Sequence, residues 1–162
     1  MSSAPWPGLH GRRVSGSTTV KPERRSATLA WIRKAEHDLQ AGVQTLKLGN
    51  RCPTDTVSFD AQQCVEKYLK ACLVWKEIEF PRIHEIAVLL DRLPRKLRPD
   101  LLPVDQETLT LAATQGRYPG TIDPTVLEAR HALRVARAVR REVRRWLLPA
   151  LTRPSPRRRN HD

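Results

Sequence analysis

Arg130, Arg134, Arg137, Arg141 and Arg144 recur at intervals of four, three, four and three. On a helix this spacing stacks them along one stripe, because residues three and four apart share a face. Each guanidinium is permanently charged and presents a planar fork of donors that fits phosphate. A ladder of them therefore suits the backbone of a nucleic acid. Glu128 and Glu142 are the acids within residues 125–148, so the helix does not neutralise its own stripe. A solvated face, or one matched by carboxylates from another helix, fits the same spacing.

The other reactive side chains are sparse. Histidines stand at 10, 37, 84, 131 and 161, too scattered for a metal site. His84, near the N-terminus of a short helical stretch, is the candidate for proton transfer, and satisfying backbone amides is its plainer role. Cys52, Cys64 and Cys72 form no CxxC pair and leave one cysteine over, against both a disulfide framework and zinc. There is no phosphate-binding glycine loop, GxSxG or HExxH. No metal and no cofactor is expected, and no self-contained catalytic centre. Trp31, Trp75 and Trp146 sit in helical stretches, where packing explains them better than base stacking, and Trp6 lies in a tail.

The elements that position these residues are all helical. A first helix is expected from Ser26 to about Leu48, with Ile32, Ala35, Leu39, Val43 and Leu46 on one face and Gly49-Asn50 as its stop. A second runs from about Thr56 to Lys76, burying Ala61, Val65, Tyr68, Leu69, Cys72 and Leu73, with Gln63, Lys67 and Lys70 on the opposite side. A short third helix spans about 84–93 and a weaker fourth about 105–115. The turn Gly116-Arg117-Tyr118-Pro119-Gly120 follows, and Asp123-Pro124 opens a final helix to about Leu148. Long helices joined by short loops give an all-α, antiparallel up-and-down bundle of four to five helices.

Residues 1–25 and 149–162 carry prolines, glycines and clustered charge without a buriable face, and are read as basic disordered tails around one domain at 26–148. The chain has 29 Lys+Arg against 17 Asp+Glu, a net charge of +12, which favours polyanionic partners. Without an apolar span or leader the protein is expected to be cytoplasmic and free of the membrane.

Four blocks resemble the HEPN domain. They are Trp31 with Ala35-Glu36-His37-Asp38-Leu39; Phe59-Asp60-Ala61-Gln62-Gln63-Cys64-Val65-Glu66-Lys67-Tyr68-Leu69-Lys70-Ala71; His84-Glu85-Ile86; and Arg117-Tyr118-Pro119. The resemblance covers about residues 27–148 and implies a bundle of four or five helices, usually a homodimer. In bacteria such domains are often paired with a minimal nucleotidyltransferase, in pairs that can act as toxin and antitoxin. The residues at the family's polar positions are Asp38, Gln63, Glu66, Lys67, Lys70, His84, Arg117 and Tyr118. They imply contacts to a nucleotide or nucleic acid, RNA favoured, and a polar network within the bundle is their structural alternative.

Nuclease members carry Arg, four to six residues, then His on a late helix. Here Arg130 and His131 are adjacent, while Arg33–His37 and Arg157–His161 enclose three residues and lie elsewhere. A nucleotide- or RNA-binding module is therefore the leading expectation. A metal-independent ribonuclease toxin with a divergent site, or a non-catalytic interaction domain, is the alternative.

Overall fold

A computed structural model describes residues 21–114 and 118–152. Among them are five α-helices: α1 (Pro22–Leu46), α2 (Thr54–Trp75), α3 (Ile86–Arg92), α4 (Pro103–Thr114) and α5 (Val126–Thr152). The described residues form an all-α bundle, without strands, as the hydrophobic periods require.

α1 starts at Pro22, four residues ahead of Ser26. Proline suits the first helical position because its missing N–H would have no partner there and its φ is already helical. Gly49, at φ +61°, supplies the left-handed residue that turns the chain through a 3-10 turn into α2. α1 and α2 are thereby returned against each other as a hairpin. They approach closely at Gly42: a Cβ there would lie 3.1 Å from Asp60 Cβ and 3.1 Å from Leu133 Cδ2.

α2 is the axis of the bundle. α1 and α5 pack on it, and α3 and α4 close its remaining side. Its apolar residues Val57, Ala61, Cys64, Val65, Tyr68, Leu69, Cys72 and Leu73 are fully buried. So are Gln62, Glu66 and Lys70, or nearly so. The expectation that Lys70 points away from the core is thus corrected: Trp31 of α1 and Phe80, in the loop after α2, cover that position, while Gln63 and Lys67 are half-buried. Trp31, Trp75 and Trp146 are half-buried against the core, as packing residues.

The last helix begins at Val126, past the Asp123-Pro124 pair. Thr125 caps it: its Oγ1 accepts from Glu128 N at 3.2 Å, and Glu128 Oε2 accepts from Thr125 N at 2.6 Å. This reciprocal box satisfies donors that the first turn would otherwise leave open. α5 then runs through Pro149 to Thr152, beyond the expected end at Leu148. One face buries Ala129, Leu133, Ala136, Val139, Val143 and Leu147. The tail residues 1–20 and 153–162, Arg157, Arg158 and Arg159 among them, lie outside the described residues, as does Arg117.

Candidate nucleic-acid interface

The arginines of α5 divide into two sets. Arg140 and Arg144 turn inward to α1, where Arg140 Nε lies 2.7 Å and Arg144 Nη1 3.1 Å from Glu36 Oε1. The Tyr68 hydroxyl donates to the same oxygen. Burial would raise the Glu36 pKa, but the hydrogen bonds from Arg140 and Tyr68 and the two guanidinium charges outweigh it and hold the carboxyl below the usual range. Glu36 in turn raises Arg140, chiefly through their hydrogen bond. This node ties α1, α2 and α5 together, so Arg144 is engaged with the bundle and does not stand in the outer stripe.

Arg130, Arg134, Arg137 and Arg141 are exposed, and exposed Arg145 continues their line in place of Arg144. Arg130, Arg137, Arg141 and Arg145 form no ion pair with any described residue. The acids of α5 are occupied elsewhere. Glu128 is held in the cap, which also lowers its pKa through the Thr125 backbone, and Glu142 Oε2 accepts from Asp100 N at 2.8 Å. Among the described residues, the outer face of α5 is therefore a row of cations with no carboxylate in ion-pair contact.

On the flank of this row stands His131, which the sequence reading did not select. Its Nε2 is 2.7 Å from Asp105 Oδ1, at the start of α4, and Arg134 Nη2 lies 3.3 Å from its Nδ1. Asp105 and His131 are 26 residues apart, so only the packing of α4 beside α5 reveals the pair. Next to Ala132, a groove of about 470 Å3 opens between Ser58, Thr108, Leu109, Ala112 and Ile122.

A second group of polar residues forms a chain along α2. Asp38 Oδ2 accepts from Lys67 Nζ at 2.5 Å, and Lys67 Nζ also donates to Gln63 Oε1 at 3.0 Å. Gln63 Nε2 donates to Gln62 Oε1 at 2.7 Å, and Gln62 Nε2 to Glu66 Oε2 at 2.7 Å. Glu66 Oε1 is 2.6 Å from Lys70 Nζ, and Glu66 Oε2 is 3.0 Å from His84 Nδ1. Lys70 Nζ also lies 5.6 Å from the Trp31 ring centroid and 5.7 Å from that of Phe80, an aromatic surround suited to a cation. Burial pushes Glu66 up, but hydrogen bonds from Lys70, Gln62 and His84 prevail and lower its pKa.

Of the eight residues at the family's polar positions, six thus meet in one network: Asp38, Gln63, Glu66, Lys67, Lys70 and His84. It is a satisfied network, and Lys70 is sunk within it, so phosphate could reach Lys67 or His84 more readily than Lys70. His84 precedes α3 and is exposed, its Nδ1 fixed by Glu66 and its other ring nitrogen turned away from that carboxylate. Tyr118 stands apart and exposed. Cys64 and Cys72 are buried among apolar side chains; burial raises both thiols, Cys72 to about 12, and neither is a nucleophile at neutral pH. Among the described residues no group of His, Cys, Asp or Glu could hold a metal ion, and no helix is long and apolar enough to cross a membrane.

Among the described residues, five helices packed around a central one that carries a buried polar network, with a basic last helix, define a class of small helical module. The chain belongs to the HEPN domain family, which matches residues 28–146. Among solved structures it is similar to TT1696 from Thermus thermophilus, at 26% identity, covering 73% of this chain and 96% of that one, with a TM-score of 0.61. No curated protein matches.

Proposed function

We propose that this protein is a HEPN-type module that binds the phosphate backbone of a nucleic acid along the outer face of α5. The observation that carries the reading is the partition of the arginines. Arg140 and Arg144 are consumed by Glu36, whereas Arg130, Arg137, Arg141 and Arg145 are exposed with no carboxylate of the described residues against them. Like charges held three and four apart repel one another, and a polyanion relieves that repulsion by replacing its own condensed counterions with fixed guanidinium groups. The Asp38–Lys67–Glu66–His84 network is read as the scaffold that fixes α1 to α2, with His84 as its exposed end.

Homodimerisation, which the family implies, is part of this proposal. Ile122 is 98% and Leu127 73% exposed beside the start of α5, large apolar surface that a partner copy would cover. Sedimentation is expected to give about twice the 18.5 kDa chain mass, and a monomer at micromolar concentration speaks against it. A minimal nucleotidyltransferase encoded alongside would make the module one half of a toxin–antitoxin-type pair.

The test is to incubate the purified protein with end-labelled single-stranded RNA in chelator. Binding with the strand intact is the expected result. Cleavage that disappears in His84→Ala would instead establish a metal-independent nuclease centred on the Glu66–His84 pair. No binding at low salt refutes the proposal.

A further inference from the structure

The exposed arginines of α5 are donors only, as every guanidinium is. His131 adds a different function to that face. Its Nε2 lies 2.7 Å from Asp105 Oδ1, and the Asp105 side chain is only 14% exposed, so the carboxylate is a fixed acceptor built into the start of α4. Nε2 donates to it, and Nδ1 is left as an acceptor. The other neighbour agrees with this tautomer: Arg134 Nη2, which can only donate, stands 3.3 Å from Nδ1. The packing of α4 on α5 thus sets a hydrogen-bond acceptor at a defined place beside a row of exposed guanidinium donors.

We infer that His131 reads the ribose 2′-hydroxyl, and so makes the α5 face selective for RNA over DNA. The inference rests on the proposed binding of a nucleic-acid backbone to that face. On a nucleotide the 2′-hydroxyl adjoins the 3′-phosphate, and on a helix His131 and Arg134, three apart, are surface neighbours. Arg134 is exposed and its contact to Nδ1 is long, so it is free to swing onto the phosphate. That movement uncovers Nδ1, which accepts the hydrogen bond from the 2′-hydroxyl. DNA offers no donor at this position, and the 2′-hydroxyl is the group by which a protein tells the two apart. Asp105 acts as a positioning residue, because it keeps the proton on Nε2 and the lone pair on Nδ1.

The experiment compares a uridine 20-mer with the deoxyuridine 20-mer, which carries the same bases, and with the 2′-O-methyl uridine 20-mer, which keeps the oxygen but has no proton to donate. Binding is followed by fluorescence anisotropy at one fixed salt concentration. The wild-type chain is expected to bind the ribo-strand roughly two- to tenfold more tightly than either of the others for each such contact made. In His131→Ala that preference disappears while affinity for the deoxy-strand stays put. Asp105→Asn, which frees the ring to place its proton on Nδ1, loses the preference as well, with helix content checked by circular dichroism in both variants. Equal wild-type affinity for ribo- and deoxy-strands overturns the inference and leaves the proposed backbone binding standing. So does a preference that survives the 2′-O-methyl strand or His131→Ala. Failure to bind any of the strands removes both.

Discussion

Asp60 is a half-buried carboxylate whose charge its surroundings disfavour. Burial raises its pKa, the Asp38 carboxylate raises it further, and Lys67 offsets only part of this, leaving it at about 6 against an ordinary 3.8. A carboxyl whose folded pKa lies above its unfolded one contributes most below the unfolded value, and that contribution is lost as pH rises through the folded value. Stability should therefore fall between about pH 4 and pH 6 on account of this residue. Asp60→Asn is expected to stabilise the protein at pH 7.5 by about 1 kcal/mol, after allowance for solvent screening at a half-buried site, and to give no gain at pH 4. Thermal melts at the two pH values check it. At this scale the sequence was only partly legible. The block from Ala61 to Ala71 puts Gln63, Glu66, Lys67 and Lys70 on one helix, and the polar network that was their structural alternative is present. The burial of Lys70 was not legible, since it depends on Trp31 and Phe80, which come from α1 and from the loop after α2.

Helix boundaries show what local chemistry can and cannot fix. α5 begins with a Thr-x-x-Glu box at Thr125 and Glu128, a signal present in the sequence that the Asp123-Pro124 pair overshadowed. Both ends of the box are used, since Glu128 accepts from the Thr125 hydroxyl as well, at 2.7 Å. Thr125→Ala is expected to lower stability by about 1 kcal/mol, read as a smaller urea midpoint at an unchanged slope. The far end of α5 is different. Pro149 is a helix breaker by its own chemistry, yet α5 continues to Thr152 because Leu151 is buried on the core. The arginine spacing correctly put Arg130, Arg134, Arg137 and Arg141 on an exposed face. It could not distinguish Arg144 from Arg145, because the choice is made by Glu36, more than a hundred residues away on α1.

For the molecule as a whole, the hydrophobic period and the turn residues were enough for an all-α bundle, because each long helix buries one continuous stripe. The central position of α2 was beyond reach. Periodicity reports which face of a helix is apolar, and a helix packed on by α1, α5, α3 and α4 has polar residues inside for reasons only its neighbours supply. The same limit hid the Asp105–His131 pair. What emerges is a division of labour: carboxylates on α1, α2 and α4 fix the inward cations and orient His84 and His131, and a row of cations on the outer face of α5 has no ion-pair partner among the described residues.

That row is tested most directly by the salt dependence of binding. Arg134, Arg137 and Arg141 are replaced together by glutamine, which keeps helix propensity and much of the side-chain length while removing the charge. They are exposed, so the fold should persist, with about ±0.5 kcal/mol at each site. Each phosphate contact contributes roughly −0.7 to the slope of log affinity against log salt on a single strand, so the triple variant should flatten that slope by about two. A properly folded variant whose slope is unchanged would contradict the account and leave the α5 face as solvated charge.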